Sequence, residues 1–111
     1  MAFSPTYSRT EPTPEEVGEA PGPVLLEFGS PTCGYCLRAE PEVESALTGH
    51  ADVRHVRIAD GSGRPLGRWF GVKLWPTLVF LNNGSEIARL VRPRSAQAIR
   101  EALQTIDARS H

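Results

Sequence analysis

The chain has 111 residues, 40% of them hydrophobic and 23% charged, which suits one domain around one core and excludes wholesale disorder. Twelve basic and 13 acidic side chains leave a net charge of −1 with no Lys/Arg-rich run, so nucleic acid is not an expected partner. The longest aliphatic or aromatic run is Leu78 to Leu81, far short of the roughly 20 residues that span a bilayer. Met1 to Ala20 has no apolar core of a secretory signal. The expectation is a cytoplasmic, monomeric, single-domain protein over residues 1–111, with no membrane contact.

Residues 1–23 hold five of the ten prolines and four Glu against one Arg, an acidic lead-in expected to be loosely ordered. Phe3 to Arg9 could form a weak edge strand. Thr13-Pro14-Glu15-Glu16 is a capping box with proline at the first helical position, predicting a short helix to about Ala20. Val24 to Phe28 is an apolar run broken only by Glu27 and closed by Gly29-Ser30-Pro31, the pattern of a buried strand.

From Cys33 the period changes to helical. Cys36, Ala39, Val43, Ala46 and Leu47 share a stripe, Gly49 supplies the stop, and Pro41 removes one backbone donor and should kink the helix. Val53 to Ala59 alternates as a strand, and Asp60-Gly61-Ser62-Gly63 turns into a short helix, Pro65 to Phe70, ended by Gly71. Thr77 to Leu81 is a second buried strand, joined to Glu86–Val91 by an Asn83-Gly84 hairpin turn. Ser95 caps a last helix whose Ile99, Ala102, Leu103 and Ile106 follow the i, i+3, i+4, i+7 rule. Strand-helix-strand units require parallel pairing and the hairpin requires one antiparallel pair, so the predicted fold is α/β, a mixed sheet with helices on both faces.

Cys33 and Cys36 are the only cysteines. A bridge closing so small a ring gains only about 1.9 kcal/mol of chain entropy, against roughly 4.7 for a 100-residue loop, so stapling is a poor reason for the spacing. Redox chemistry or metal binding remain. Cys33 falls where a strand ends and a helix begins, where unpaired N–H groups and the helix dipole favour a thiolate; Cys36 is one turn further on the same face. That arrangement supports attack by Cys33 on a substrate disulfide and displacement of the product thiol by Cys36. The rival is a zinc site, since Cys33, Cys36, His50 and His55 have two-cysteine, two-histidine spacing. However, the two histidines fall on a loop and a strand, whereas the compact zinc finger carries both on one helix. No metal is expected.

Several further pieces resemble the thioredoxin superfamily, in the right order and over about Phe3 to Ile106: Val24-Leu25-Leu26-Glu27-Phe28 before Cys33-Gly34-Tyr35-Cys36, Pro41, Phe70-Gly71-Val72, and Trp75-Pro76-Thr77-Leu78-Val79-Phe80-Leu81 running into Asn83-Gly84. The resemblance implies a thioredoxin fold, a cis bond before Pro76 facing the cysteines, and a strand backbone beside that proline that binds extended protein disulfide substrates. It also implies thiol–disulfide oxidoreductase activity without a bound cofactor, expected in the reducing direction, with electrons exchanged with an external reductase or oxidase. Gly34, Tyr35, Trp75, Pro76, Thr77 and Arg92 are the expected substrate contacts.

Glu27 lies where thioredoxins carry a buried Asp and protein disulfide isomerases a Glu. An acid enclosed in an apolar strand is costly to ionise, which suits it to take and return the proton of Cys36; pairing with Arg or His is the structural alternative. The chain departs from the family at Thr32, where a Trp is usual, and at Gly34-Tyr35 in place of Gly-Pro, so that Thr32 to Cys36 is more similar to the active site of bacterial periplasmic disulfide isomerases. Arg92 replaces a customary Gly beside the groove and should steer acidic substrates. Trp75 is expected at the groove, Trp69 in the core, and His50, His55 and His111 at the surface or paired, with His55 near Glu27. A non-catalytic thioredoxin-like binding or assembly module is the competing function, opposed by the intact cysteine pair.

Overall fold

The computed structural model describes residues 3–8 and 10–107, so that Arg9 and His111 lie outside the described residues. Four strands form one mixed sheet in the order β2-β1-β3-β4, where β1 is Pro23–Gly29, β2 Arg54–Ala59, β3 Thr77–Asn82 and β4 Ser85–Val91. β1 pairs in parallel with β2 (Leu26 opposite Val56) and antiparallel with β3 (Leu26 opposite Val79), which puts β1 and β3 at the centre.

Alternation along the central strands divides the core in two. Leu25, Leu78 and Phe80 face α2 (Gly34–Leu47) and α4 (Ala96–Gln104), packing with Val43, Ala46, Leu47, Ile99 and Leu103. Val24, Leu26, Phe28, Val79 and Leu81 face the other way, toward Val17 of α1 (Pro14–Glu19) and Leu66 of α3 (Pro65–Trp69). A layer on each face explains why both central strands are continuous apolar runs.

Local chemistry sets the boundaries. Thr13 closes the capping box with Glu16, and Ser95 Oγ accepts from Ala98 N–H. The stripe from Cys36 to Leu47 is the buried face of α2, and the helix runs through Pro41. Asn83 and Gly84 both have positive φ, 51° and 82°, as a two-residue hairpin turn of mirror-image type requires. The edge strand expected at Phe3 to Arg9 is reduced to one parallel bridge, Ser8 to Ile58.

The lead-in packs through Phe3, buried in the α2/α4 core, and Val17, buried on the opposite face. Trp69 is a correction: 68% of it is exposed. The short α3 has one inner face, occupied by Leu66 and Gly67, and it is Phe70 that turns inward, its ring 5.7 Å from that of Phe28. Among the described residues no helix is long and apolar enough to cross a membrane.

Gly84 is fixed by more than its turn, because a Cβ there would collide with the backbone carbonyl of Gly18. Gly84→Ala should therefore lower stability by about 1–3 kcal/mol, read as a lower urea midpoint at unchanged slope. A midpoint equal to that of the unsubstituted chain would contradict this packing of α1 on the hairpin.

Candidate active site

Cys33 is the N-cap of α2, and its Sγ accepts the Cys36 N–H at 3.3 Å, so the first turn's unpaired donor points at the sulfur. Cys33 is partly accessible while Cys36 is buried, and both are free thiols. The two thiols are driven apart. Burial works against ionising Cys33, but the Cys36 thiol, the N–H groups of Cys36 and Tyr35 and the Arg92 guanidinium together hold its thiol below the ordinary range. Burial, followed by the hydrogen bond with Cys33, pushes Cys36 up to about 11. The partly accessible sulfur is thus the more easily ionised of the two, and the buried one the less.

The Trp75–Pro76 bond is cis. Arg92 secures the loop around it: its N–H donates to the Pro76 carbonyl at 2.9 Å, and its Nε donates to the Trp75 carbonyl at 2.8 Å. Its guanidinium lies 3.7 Å from the centre of the Tyr35 ring, which stacks it across the front of α2. Arg92 adopts φ 51°, the left-handed region a glycine would enter freely, and these contacts offset that strain. Tyr35 is 49% exposed and Gly34 is exposed as well. An open groove of about 610 Å³ beside them is lined by Tyr35, Arg38, Glu42, Arg92 and Arg94.

Two expected groove residues face inward with their side chains. Thr77 is buried, and its hydroxyl donates to the Leu74 carbonyl at 2.6 Å. Trp75 packs against the α1/α3 core, and its indole N–H donates to Asp60 Oδ2 at 2.9 Å. Asp60 also accepts from Arg68 at 2.8 Å, and its carboxylate occupies the space where Gly67 lacks a side chain. It ties α3 to the cis-proline loop, a role that its turn-like sequence context does not reveal.

Glu27, only 1% exposed, is paired with both a His and an Arg. His55 Nδ1 accepts the Ser4 N–H at 2.9 Å, so the ring proton lies on Nε2 and is donated to Glu27 Oε1 at 2.8 Å. Arg57 Nε is 3.4 Å from the same oxygen, and its other end reaches Glu40 at 3.0 Å. Glu27 Oε2 is buried without a hydrogen-bond partner among the described residues. His50 is buried against Asp107 at 2.7 Å. The four residues with zinc-like spacing do not converge, and among the described residues no group of three or more His, Cys, Asp or Glu could hold a metal ion.

A helix-capping thiol of lowered pKa, a buried partner one turn on and a cis-proline loop alongside define a dithiol oxidoreductase site. The chain matches the thioredoxin family model over residues 7–105. It is 44% identical to thioredoxin 2 from Pseudomonas aeruginosa PAO1, whose structure in its reduced form aligns with a TM-score of 0.83 over 93% of this chain and 95% of that one. Protein disulfide-isomerase A3 of Gallus gallus is 36% identical over 84 residues, 75% of this chain and 17% of that protein. Thioredoxin 1 of Synechococcus elongatus is 28% identical over 78 residues, 69% of this chain and 73% of that protein. The chain belongs to the thioredoxin family and carries its thiol–disulfide oxidoreductase dithiol at Cys33 and Cys36. It spans about a fifth or less of the length of the protein disulfide isomerases it matches.

The separated thiols predict selective alkylation. At about pH 7 iodoacetamide should label Cys33 and spare Cys36, with a pH–rate midpoint for Cys33 below about 8.5, the value of an unperturbed cysteine. Equal labelling of the two thiols would contradict the asymmetry.

Proposed function

We propose that the chain reduces disulfides in extended protein segments, with Cys33 as nucleophile and Cys36 as resolving sulfur, in a cytoplasmic setting and as a monomer. The observation that carries this reading is the contrast between the two thiols, one partly exposed and lowered, the other buried and raised to about 11. The Cys33 thiolate attacks one sulfur of the substrate disulfide, forming a mixed disulfide and releasing the other as a thiolate. Cys36 then loses its proton and attacks Cys33 Sγ. The bond to the substrate breaks, its electron pair leaves on the substrate sulfur, and a Cys33–Cys36 disulfide remains. An external reductase returns that disulfide to the dithiol; no bound cofactor takes part.

Glu27 is the proposed acceptor of the Cys36 proton, with the unpartnered Oε2 as the receiving atom and His55 and Arg57 holding Oε1. Gly34, Tyr35, Trp75, Pro76 and Thr77 would frame the bound segment, the last three through backbone, since the side chains of Trp75 and Thr77 are engaged elsewhere. Arg92, with Arg38 and Arg94 along the groove, favours acidic segments. A non-catalytic module is not favoured, because both thiols are free and in place.

Trapping tests the assignment of roles. Cys36→Ser should accumulate mixed disulfides with substrate, and Cys33→Ser should accumulate few. Equal accumulation by the two variants would remove the assignment.

A further inference from the structure

Gly29 ends β1 directly beneath the active-site helix. A Cβ on this residue would lie 2.6 Å from Cys36 Sγ and 2.9 Å from Tyr7 Oη, so the sulfur and the phenol share the space the missing side chain leaves open. Tyr7 arrives from the lead-in, about thirty positions away in sequence, and its backbone is fixed next door, where Ser8 N–H donates to the Arg57 carbonyl at 2.7 Å. Its ring is held by the Arg57 guanidinium 4.2 Å from the centroid. Its hydroxyl is buried, and the polar groups within its reach are the Cys36 sulfur and the Arg57 guanidinium. A buried hydroxyl is costly when unsatisfied, and the reacting sulfur is the group placed beside it.

We propose that Tyr7 is a further catalytic residue whose hydroxyl donates to the Cys36 thiolate while that sulfur attacks the mixed disulfide. The proposal rests on Cys36 being the resolving sulfur. Once the Cys36 proton has passed to Glu27, the thiolate is left in a buried site, and Tyr7 O–H supplies the hydrogen bond that water would give outside. Attack forms the Cys33–Cys36 bond and breaks the Cys33–substrate bond; the two cysteines are oxidised and the substrate disulfide is reduced. The departing substrate thiolate takes up the proton released from Cys36. The phenol keeps its own proton throughout, because burial pushes its pKa well above that of a free tyrosine, helped by the Glu27 charge before the proton transfer and by the Cys36 thiolate charge after it. The charged and titratable groups around Cys36 are Cys33 on its own helix and Tyr7 from the lead-in, with Glu27 and Arg57 of β1 and β2 behind Tyr7, and His55 and Glu40 beyond them.

Tyr7→Phe removes the donor and keeps the ring over Arg57. Loss of the hydrogen bond should raise the Cys36 pKa further, and a tenfold loss of thiolate is offset about threefold by greater intrinsic nucleophilicity, so resolution should slow about threefold. The probe is 5,5′-dithiobis(2-nitrobenzoate) in single turnover. Its first chromophore release reports attack by Cys33, and its second reports displacement by Cys36. In Tyr7→Phe the first phase should be unchanged, the second should slow, and its pH midpoint should move up. Thermal unfolding of the same variant checks the fold. The Cys36 pH–rate midpoint for alkylation, measured in a Cys33→Ser background with and without Tyr7→Phe, does not depend on which sulfur attacks first. An unmoved Cys36 midpoint would overturn the Tyr7 contact. A moved midpoint with a second phase of unchanged rate would overturn the catalytic role. Retention of the mixed disulfide by Cys33→Ser and not by Cys36→Ser would instead overturn the assignment of roles on which the proposal stands.

Discussion

The site depends on a backbone constraint at the junction of β1 and α2. The strand must deliver the chain to a helix start whose unpaired N–H groups meet Cys33, and the next turn must place Cys36 over the strand it has just left. That closeness is possible only because the strand ends on Gly29, where a side chain would run into the sulfur. The remaining features follow from the resulting difference in surroundings. The thiol at the helix end meets donors and the Arg92 guanidinium, and the thiol above the strand meets protein interior.

Behind the dithiol lies a polar layer inside the apolar core. Glu27, His55, Arg57 and Glu40 are linked through contacts of 2.8 to 3.4 Å, and the Phe3 and Tyr7 rings lie against Arg57. Burying an arginine and a carboxylate together costs desolvation that their attraction repays only in good geometry with further hydrogen bonds. Arg57 obtains those bonds from the carbonyls of Ser4 and Pro5, so the lead-in closes the layer from outside. The same segment carries Tyr7 to the sulfur, which couples order in the lead-in to the chemistry of the dithiol.

Elements whose boundaries are set locally were legible in the sequence. The capping box at Thr13, the stop at Gly49, the Asn83-Gly84 turn and the Ser95 cap each encode a hydrogen bond or a backbone angle within a few residues, and each element has its expected type. The cysteine pair was legible for the same reason, since three positions of helix fix where its members sit. What stayed hidden depends on partners about fifty residues apart. Alternation along β2 puts Val56 and Ile58 on one face and His55 and Arg57 on the other, a pattern equally suited to a solvated polar face. Only the docked Phe3–Ser8 segment makes that face interior. The outward face of Trp69 was hidden on similar grounds, because one turn of helix gives too little periodicity to orient it, and nothing local in the sequence marks Asp60 as the partner of the Trp75 indole.

The central claim is that this site turns over protein disulfides, and the most direct measurement is reduction of insulin by dithiothreitol, followed as precipitation of the freed chains. The account predicts that catalytic amounts of the protein shorten the lag and steepen the rise, and that Cys33→Ser returns the time course to that of dithiothreitol alone. A time course with the unsubstituted protein no faster than with dithiothreitol alone would contradict it.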